Sequence, residues 1–190
     1  MRLLFISDIH GSPESLDKLS SHLEQWRPDQ LVILGDVLYH GPRNPLRPDY
    51  APVDVCNWLN RHKKMIVAVR GNCDSEVDQA MLEFPLMADY STLLVDGYKF
   101  FLTHGHHYHP GHFPPMGSGE ILSYGHTHIP HLAVVAENLV AFNPGSLSLP
   151  KASMPASFGR YEDGTLCVVN LDSGQEMMRL DLELEKSKWV

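Results

Sequence analysis

Two pairs of alternating side chains in this sequence have the residue types and the spacing of metal ligands. Asp8 and His10 form the first pair, and His126 and His128 form the second. In an extended segment, side chains two positions apart point the same way, so each pair can present two ligands on one side. Carboxylates and imidazoles are common ligands of divalent metal ions in proteins. Both pairs are therefore candidate parts of a metal site.

Three further positions, Asp36, Asn72 and His104, offer oxygen or nitrogen atoms that can bind a metal. Seven candidate ligands are too many for one ion and suit two, with a carboxylate such as Asp36 bridging ions about 3.5–4 Å apart. The set combines imidazole, carboxylate and amide oxygen without thiolate. That mixture favours Mn, Fe, Co, Ni or Zn over a calcium site or a cysteine-rich zinc site. The predicted cofactor is a pair of divalent metal ions.

Short apolar runs precede three of these polar positions and predict strands that are buried on both faces. The runs are Leu3–Ile6, Leu31–Leu34 and Met65–Val69. In an open sheet whose strands alternate with helices, ligands bind beyond the carboxyl ends of the strands. Asp8, Asp36 and Asn72 should therefore converge on one rim.

Helices are predicted between and after these strands. Ser12 can cap the first helix, with a proline in its first turn and an acidic residue near the positive end of the helix dipole. This helix should end before Pro28, because the residue before a proline disfavours helical backbone. The remaining predicted helices are Val53–Asn60 and a short helix that begins at a cap, Asp74 or Ser75, and runs through Met81.

From Tyr90 onward, strand-like runs are joined by turn dipeptides such as Asp96-Gly97, which is typical of β-hairpins. A βαβαβ half thus precedes a mostly antiparallel half. Two sheets packed face to face with helices outside form the simplest arrangement that buries these elements, an α/β (α+β) fold. We expect one domain over residues 1–190. The predicted strands of the second half are Leu93–Val95, Tyr98–Thr103, Leu132–Ala136, Leu139–Asn143, Ser157–Tyr161, Thr165–Asn170 and Glu176–Leu184.

The composition fits a globular protein of the cytoplasm. With 190 residues and 43% hydrophobic content, the chain can bury a core without disulfides. Its three cysteines, Cys56, Cys73 and Cys167, are odd in number and far apart, which suits a reducing compartment. No apolar stretch approaches the roughly 20 residues of a membrane span, so no membrane association is expected. A net charge of −8 disfavours long nucleic acids as partners.

Beyond the individual ligand candidates, five short motifs resemble the motif series of the calcineurin-like metallophosphoesterases. Each motif alone is weak evidence, and only their joint occurrence in this order at strand ends is specific. The likeness spans Asp8 to about Pro150. It is greatest to the small single-domain phosphodiesterases of bacteria and archaea. The five motifs are Asp8-x-His10, Gly35-Asp36, Gly71-Asn72-x-Asp74, Thr103-His104-Gly105-His106 and Gly125-His126-x-His128.

The resemblance implies a four-layer αββα sandwich of two mixed β-sheets flanked by helices. It also implies how the seven ligands divide between the ions, with Mn as the usual activating metal. By that likeness Asp36 bridges the ions. Asp8, His10 and His128 hold one of them, and Asn72, His104 and His126 hold the other.

One position departs from the family pattern. The family commonly has a histidine, which contacts the phosphoryl group or assists the leaving oxygen, where this chain has Cys73. A thiol is a weak hydrogen-bond donor with an ordinary pKa near 8.5, so it replaces an imidazolium poorly. We therefore interpret Cys73 as a small residue that fills a gap at a helix start, rather than as a nucleophile.

The resulting hypothesis is a phosphodiesterase in which a hydroxide bridging the two ions attacks phosphorus in line. Without a firm general acid, activated aryl diesters should be the best substrates, since their leaving groups depart unaided. The candidate catalytic residues are Asn72, Cys73 and His106, and the candidate substrate-binding residues are Asn72, Cys73 and Arg70. A small phosphodiester is the expected partner.

Three alternatives remain open from the sequence. The same site could serve a phosphomonoesterase or nucleotidase, which would differ only in the electrostatics of the pocket. The chain could also be a non-catalytic binding scaffold, similar to a retromer subunit that has this fold without the signature histidine. Finally, the proline-rich segment His40–Pro52 and the hairpin edges are compatible with a homo-oligomer, although nothing in the sequence fixes one.

Overall fold

The computed structural model describes residues 1–135 and 138–183. In these ranges the chain forms two mixed β-sheets. Parallel and antiparallel strands both occur in the first sheet, which has six strands. Its strands, in spatial order, are β11 (Glu176–Asp181), β10 (Thr165–Asn170), β9 (Ser157–Glu162), β1 (Arg2–Ile6), β2 (Gln30–Ile33) and β3 (Ile66–Ala68).

The second sheet has five strands and also mixes directions. A hairpin lies at each edge, and the three inner strands run parallel to one another. In spatial order the strands are β4 (Tyr90–Val95), β5 (Tyr98–Thr103), β6 (Ile121–Ser123), β8 (Val140–Asn143) and β7 (His131–Val134).

The three predicted helices are confirmed, with small shifts at their ends. Helix α1 spans Pro13–Trp26, and the side chain of Ser12 caps it by accepting a hydrogen bond from the backbone N–H of Ser15. Helix α2 spans Pro52–His62. Helix α3 spans Glu76–Met81 and begins with a capping box, so Ser75, rather than Asp74, is its cap.

Aromatic side chains fill the space between the two sheets. Phe5 of β1 contacts Phe100 of β5 and Phe142 of β8, with ring centroids 5.8 and 5.0 Å apart. On its other face, the first sheet packs against the apolar sides of α1 and α2, where Leu16 and Leu59 are fully buried. Burying each such side chain stabilises the fold by about 1.5–3 kcal/mol. The sheets are thereby fixed against each other and against the helices.

The predicted sandwich of two mixed sheets with helices is confirmed, but its outermost layer differs on one side. Residues 104–120 cover the outer face of the second sheet, and this described segment contains no helix. Tyr108, Phe113 and Met116 from the segment pack on a small cluster around Leu122. Seven glycine and proline residues from position 105 to position 119 explain the irregular backbone.

Strand pairing in the second half is mostly antiparallel, as predicted, but the sequence did not indicate how the strands divide between the sheets. Strands β9, β10 and β11 return to the first sheet and pair next to β1. Strand β6 was not predicted, since three residues in a region rich in glycine and proline give too short a pattern. Ala136 and Leu184, the ends of two predicted strands, lie outside the described residues.

Candidate dimetal site

The candidate ligands lie on loops at the carboxyl ends of strands from both sheets. Asp8, Asp36 and Asn72 follow β1, β2 and β3 of the first sheet, as predicted. His104 follows β5 directly, and the segment with His126 and His128 follows β6 of the second sheet. The two sheets therefore meet at one rim, where their loops can build a common site.

The paired motifs are held by tight turns and not by extended backbone. The backbone φ is positive at both members of each pair and also at Asp36. This left-handed conformation costs of order 1–3 kcal/mol for residues other than glycine and clusters at functional sites. The prediction that Asp8 and His10 lie together was correct, since His10 Nε2 is 3.6 Å from Asp8 Oδ1. The reason given for it, an extended backbone with alternating side chains, was wrong, because turns bring these side chains together.

A first group of donor atoms comes from Asp8, His10 and His128. Asp8 Oδ1 lies 3.2 Å from His128 Nε2, and the two imidazole Nε2 atoms are 3.4 Å apart. Each ring donates its Nδ1–H to a backbone carbonyl, His10 to Tyr39 at 2.8 Å and His128 to Leu149 at 2.6 Å. This bond leaves the Nε2 lone pair of a neutral ring directed at the centre of the group, as in imidazole ligands of metals.

A second group comes from Asp36, Asn72 and His104. His104 Nε2 is 3.4 Å from Asp36 Oδ2 and 3.1 Å from Asn72 Oδ1. Its Nδ1–H is donated to the carbonyl of Leu34 at 2.6 Å. The His126 ring packs edge-on against the His104 ring, with centroids 5.1 Å apart and an interplanar angle of 72°. His126 therefore lies beside this group.

These residues fit a pair of divalent cations. Asp8 Oδ1 is buried and has no hydrogen-bond partner among the described residues, which is costly unless a cation neutralises it. Burial lowers the pKa of His104, but Asp36 and Asp8 outweigh that effect and raise the pKa to about 9. The buried carboxylates are thus stabilised by positive charge at this place. Protons supply that charge in the absence of metal ions, and metal ions can supply it instead.

Glycine is required where the loops approach each other most closely. A Cβ atom on Gly71 would lie 2.1 Å from Asp36 Oδ1 and 2.2 Å from the Asp36 amide nitrogen. A Cβ atom on Gly125 would lie 1.9 Å from the hydroxyl of Ser7. These contacts are far shorter than van der Waals distance, so any side chain at Gly71 would displace Asp36.

Asp74 holds the site together in a way that the sequence did not reveal. Its Oδ2 accepts hydrogen bonds from the backbone N–H groups of Asp36 and Gly71, and its Oδ1 accepts one from Val37. Burial raises the pKa of Asp74 to about 6, although the backbone donors favour its charged form. The side chain ties the loop after β2 to the loop after β3, so it positions Asp36.

We expect Asp74→Asn to lower the free energy of unfolding by about 1–3 kcal/mol. An amide has a single acceptor oxygen, so at least one of the three buried N–H groups loses its partner. Urea unfolding of both proteins measures the change. Turnover should fall as well, because the displaced loop carries Asp36. Unchanged stability would show that the bonds of Asp74 do not hold these loops.

A cleft of about 720 Å³ opens over the two groups. Arg43 and Lys151 line it and bring positive charge to its wall. Neither residue belongs to one of the five motifs, so the motifs did not single them out. Arg70 is not among the described residues that line this cleft, so its predicted contact with substrate phosphate gains no support.

Cys73 and His106 occupy different positions relative to the cleft. Cys73 lines it, and its Sγ lies within 4.8 Å of donor atoms of His10 and Asp36. Burial and the nearby carboxylates raise the pKa of this thiol to about 12. His106 instead borders a separate depression with Tyr90 and Tyr108, while its ring centroid is 5.4 Å from that of His104. Burial lowers the pKa of His106 to about 4.

Comparison with protein families gives a match over most of the chain. The model of the calcineurin-like phosphoesterase superfamily domain matches residues 1–165. Among curated proteins, phosphodiesterase YfcE of Escherichia coli strain K12 is 45% identical over 172 residues, which cover 90% of this chain and 93% of that protein.

Solved structures give a consistent result. The structure of YfcE, a phosphoesterase from E. coli, aligns with a TM-score of 0.93 at 43% identity and covers 96% of this chain and 100% of that one. Wild-type Vps29 complexed with Zn²⁺, from Entamoeba histolytica, aligns with a TM-score of 0.57 at 20% identity over 96% and 99% of the two chains. At that identity the second likeness concerns the fold alone.

Proposed function

The chain belongs to the calcineurin-like phosphoesterase superfamily, and from this membership we propose that it is a metal-dependent phosphodiesterase acting best on activated aryl diesters. One observation carries the proposal. Asp36 Oδ2 lies between the two donor groups, 3.7 Å from His10 Nε2 and 3.4 Å from His104 Nε2. A carboxylate in this position can bridge two cations. The proposed ligands are Asp8, His10, Asp36, Asn72, His104, His126 and His128.

Two bound divalent ions would lower the pKa of water and offset negative charge on the phosphoryl group. The protein side chains position this chemistry. Asp8 Oδ2 is fixed by the Ser7 hydroxyl and the His126 amide, and Asp36 Oδ1 is fixed by the Cys73 amide. The other oxygen of each carboxylate is thereby directed at the donor groups. Preorganised donors of this kind avoid reorganisation when charge develops.

Manganese is the proposed metal, with Fe, Co, Ni or Zn as alternatives. The four imidazoles, two carboxylates and one amide oxygen of the set suit ions of intermediate softness. The thiol of Cys73 is near the first group, but its raised pKa favours the protonated form, which is a poor ligand. The proposed donor set is thus free of thiolate.

Arg43 and Lys151 support an anionic substrate of small size. Both side chains line the cleft, and both are exposed. Two positively charged side chains suit a phosphodiester or a similar small anion, whereas long nucleic acids require many more contacts to phosphate. Neither the monoesterase nor the scaffold alternative is favoured by a specific contact. A scaffold gains nothing from two buried carboxylates that lie beside each other and need cations.

The proposal is tested by assaying the Mn-loaded protein on bis(4-nitrophenyl) phosphate and on 4-nitrophenyl phosphate side by side. We expect hydrolysis of the diester to be at least about tenfold faster, because the chain offers no strong acid beside the phosphoryl group. Faster hydrolysis of the monoester would favour the monoesterase. Absence of metal-dependent turnover on both substrates would overturn the proposal.

We expect Cys73→His to raise the rate on monoesters, and on diesters with poor leaving groups, relative to the aryl diester. Histidine supplies a donor with a pKa near neutrality, and positioned acid catalysis is worth about 10²–10⁴-fold when the geometry is right. The loop beneath is tight, since a Cβ atom on Gly41 would lie 3.1 Å from Cys73 Sγ. A tenfold change in the ratio of the monoester rate to the diester rate would therefore be enough to support the expectation.

Cys73→Ser is the matched control, because it removes the thiol without adding an acid. Serine should leave most diesterase activity intact. Loss of turnover in Cys73→Ser with both metals bound would instead indicate covalent catalysis by Cys73. An unchanged ratio in Cys73→His would show that this position does not select the substrate.

The remaining expectations stay predictions. A single domain over residues 1–190 is supported by β9, β10 and β11, which complete the sheet that β1 begins. In the ranges that the structure describes, helices are too short or too polar to cross a membrane. The cytoplasmic location, the homo-oligomer and the catalytic role of His106 await measurement.

A further inference from the structure

An apolar groove adjoins the cleft over the proposed metal site, and we propose that it binds an uncharged apolar or aromatic ester group of the substrate. The groove has a volume of about 360 Å³. Its walls come from the start of α2 and from α3, with Tyr50, Pro52, Val53, Val77 and Met81 among the lining residues. This assignment rests on the proposed phosphodiesterase function and names the kind of diester that the site accepts.

Exposed apolar side chains are concentrated around this groove. Tyr39, Val53, Val77 and Met81 line it and are 41%, 56%, 70% and 40% exposed. A single exposed apolar side chain is ordinary on a protein surface and needs no explanation. Several of them around one concavity beside a polar site are typical of a ligand pocket.

The groove lies next to the metal-site cleft. Tyr39, Cys73 and Ser75 line both cavities. Cys73 Sγ lies within 4.8 Å of donor atoms of His10 and Asp36, and the carbonyl of Tyr39 accepts the Nδ1–H of His10. The groove therefore starts next to the place that the phosphoryl group must occupy. An ester group bonded to that phosphorus can reach it directly.

The charged residues that line the two cavities differ, and this difference determines which ester group of a diester each cavity accepts. The cleft is lined by the positive side chains Arg43 and Lys151 and by two carboxylates, those of Asp36 and Asp74. Asp78 is the one charged residue on the described wall of the groove. The Asp78 carboxylate is engaged by the backbone N–H and the hydroxyl of Ser75. A negative charge there repels a second anionic group and tolerates a neutral one. The structure thus favours an asymmetric diester, with an apolar group in the groove and a polar or anionic group toward Arg43 and Lys151.

Competitive inhibition tests the proposal without changing the leaving group of the assay. The probes are dimethyl phosphate and methyl 1-naphthyl phosphate, measured against bis(4-nitrophenyl) phosphate with the Mn-loaded protein. The variant is Val77→Ser combined with Met81→Ser, which removes apolar surface without adding charge. The matched control is Leu94→Ser on β4, because Leu94 is 78% exposed and does not line the groove or the cleft.

The intact protein should bind methyl 1-naphthyl phosphate at least about tenfold more tightly than dimethyl phosphate. Hydrophobic pockets discriminate between apolar groups to about this extent. The double variant should reduce this preference to about twofold, and Leu94→Ser should retain it. The proposal would be overturned if the double variant kept the preference of the intact protein, or if the intact protein showed no preference for the naphthyl ester. In either case, metal-dependent turnover would leave the proposed function standing. Absence of turnover would overturn both.

A second copy of the chain is the competing occupant of this groove. Sedimentation of the intact protein and of the double variant distinguishes it from substrate. We expect the same mass for both. A dimer that dissociates in the double variant would mark the groove as an interface between copies and would overturn the proposal.

Discussion

Replacing Asp36 by asparagine is expected to reduce turnover by more than about 100-fold, which exceeds the usual effect of losing a residue that only orients a ligand. Asp36 Oδ1 accepts the amide hydrogen of Cys73, and its Oδ2 faces the imidazole nitrogens of His10 and His104. An amide that keeps the bond to Cys73 must turn its NH₂ group toward those nitrogens. That group repels a cation, so both ions should bind more weakly.

Elemental analysis and turnover in excess Mn together measure this effect. Asp96→Asn is a suitable control, because Asp96 lies in the turn between β4 and β5 and contacts Tyr161 and the amino terminus. The control should retain metal and activity. An Asp36→Asn protein that keeps two ions and a nearly native rate would refute the bridging role of Asp36.

The second large effect is expected for His128→Ala, with a similar loss of turnover and little loss of stability. His128 Nε2 contacts Asp8 Oδ1 and lies 3.4 Å from His10 Nε2, so its removal takes one donor from the first group. His126→Ala should impair the second group instead. In both variants the metal content should fall, because ligand loss weakens binding directly.

His22→Ala provides a matched comparison for these histidines. The His22 ring also bonds a backbone carbonyl, that of Leu171, and packs against Phe158, but it lies outside the cleft. This variant should lose stability and keep its metal and its rate. A large drop in the melting temperature of His128→Ala with unchanged metal content would identify His128 as a core residue and not a ligand.

The apolar runs allowed strands β1, β2 and β3 and the placement of Asp8, Asp36 and Asn72 to be predicted, because strand ends fix where side chains can meet. The helices were equally predictable, since Ser12 and Ser75 supply local caps that depend on a few neighbouring residues. These features follow from local sequence.

Long-range features were not predictable in the same way. The return of β9–β11 to the first sheet depends on pairing between residues about 160 positions apart, as between Arg2 and Glu162. The hydrogen bonds of Asp74 join two loops, and the local pattern suggested only a helix cap. Arg43 and Lys151 line the cleft from positions outside the five motifs. Contacts of this type are decided by tertiary packing.

The proposed metal ligands fall between these cases. They were identified as candidates from residue types, but the turns at Asp8, His10 and Asp36 that bring them together were not predicted, because positive φ is uncommon for any residue other than glycine. Loops that carry strained backbone are often functional and are maintained by their surroundings. The bonds of Asp74 and the close approach at Gly71 provide that support here.

Stepwise addition of Mn to protein stripped by a chelator tests the dimetal account most directly. Elemental analysis and the rate on bis(4-nitrophenyl) phosphate are followed at each step. We expect metal content to rise to two ions per chain and the rate to reach its maximum only when both sites are filled. Full activity at one ion per chain, or in the stripped protein itself, would contradict it.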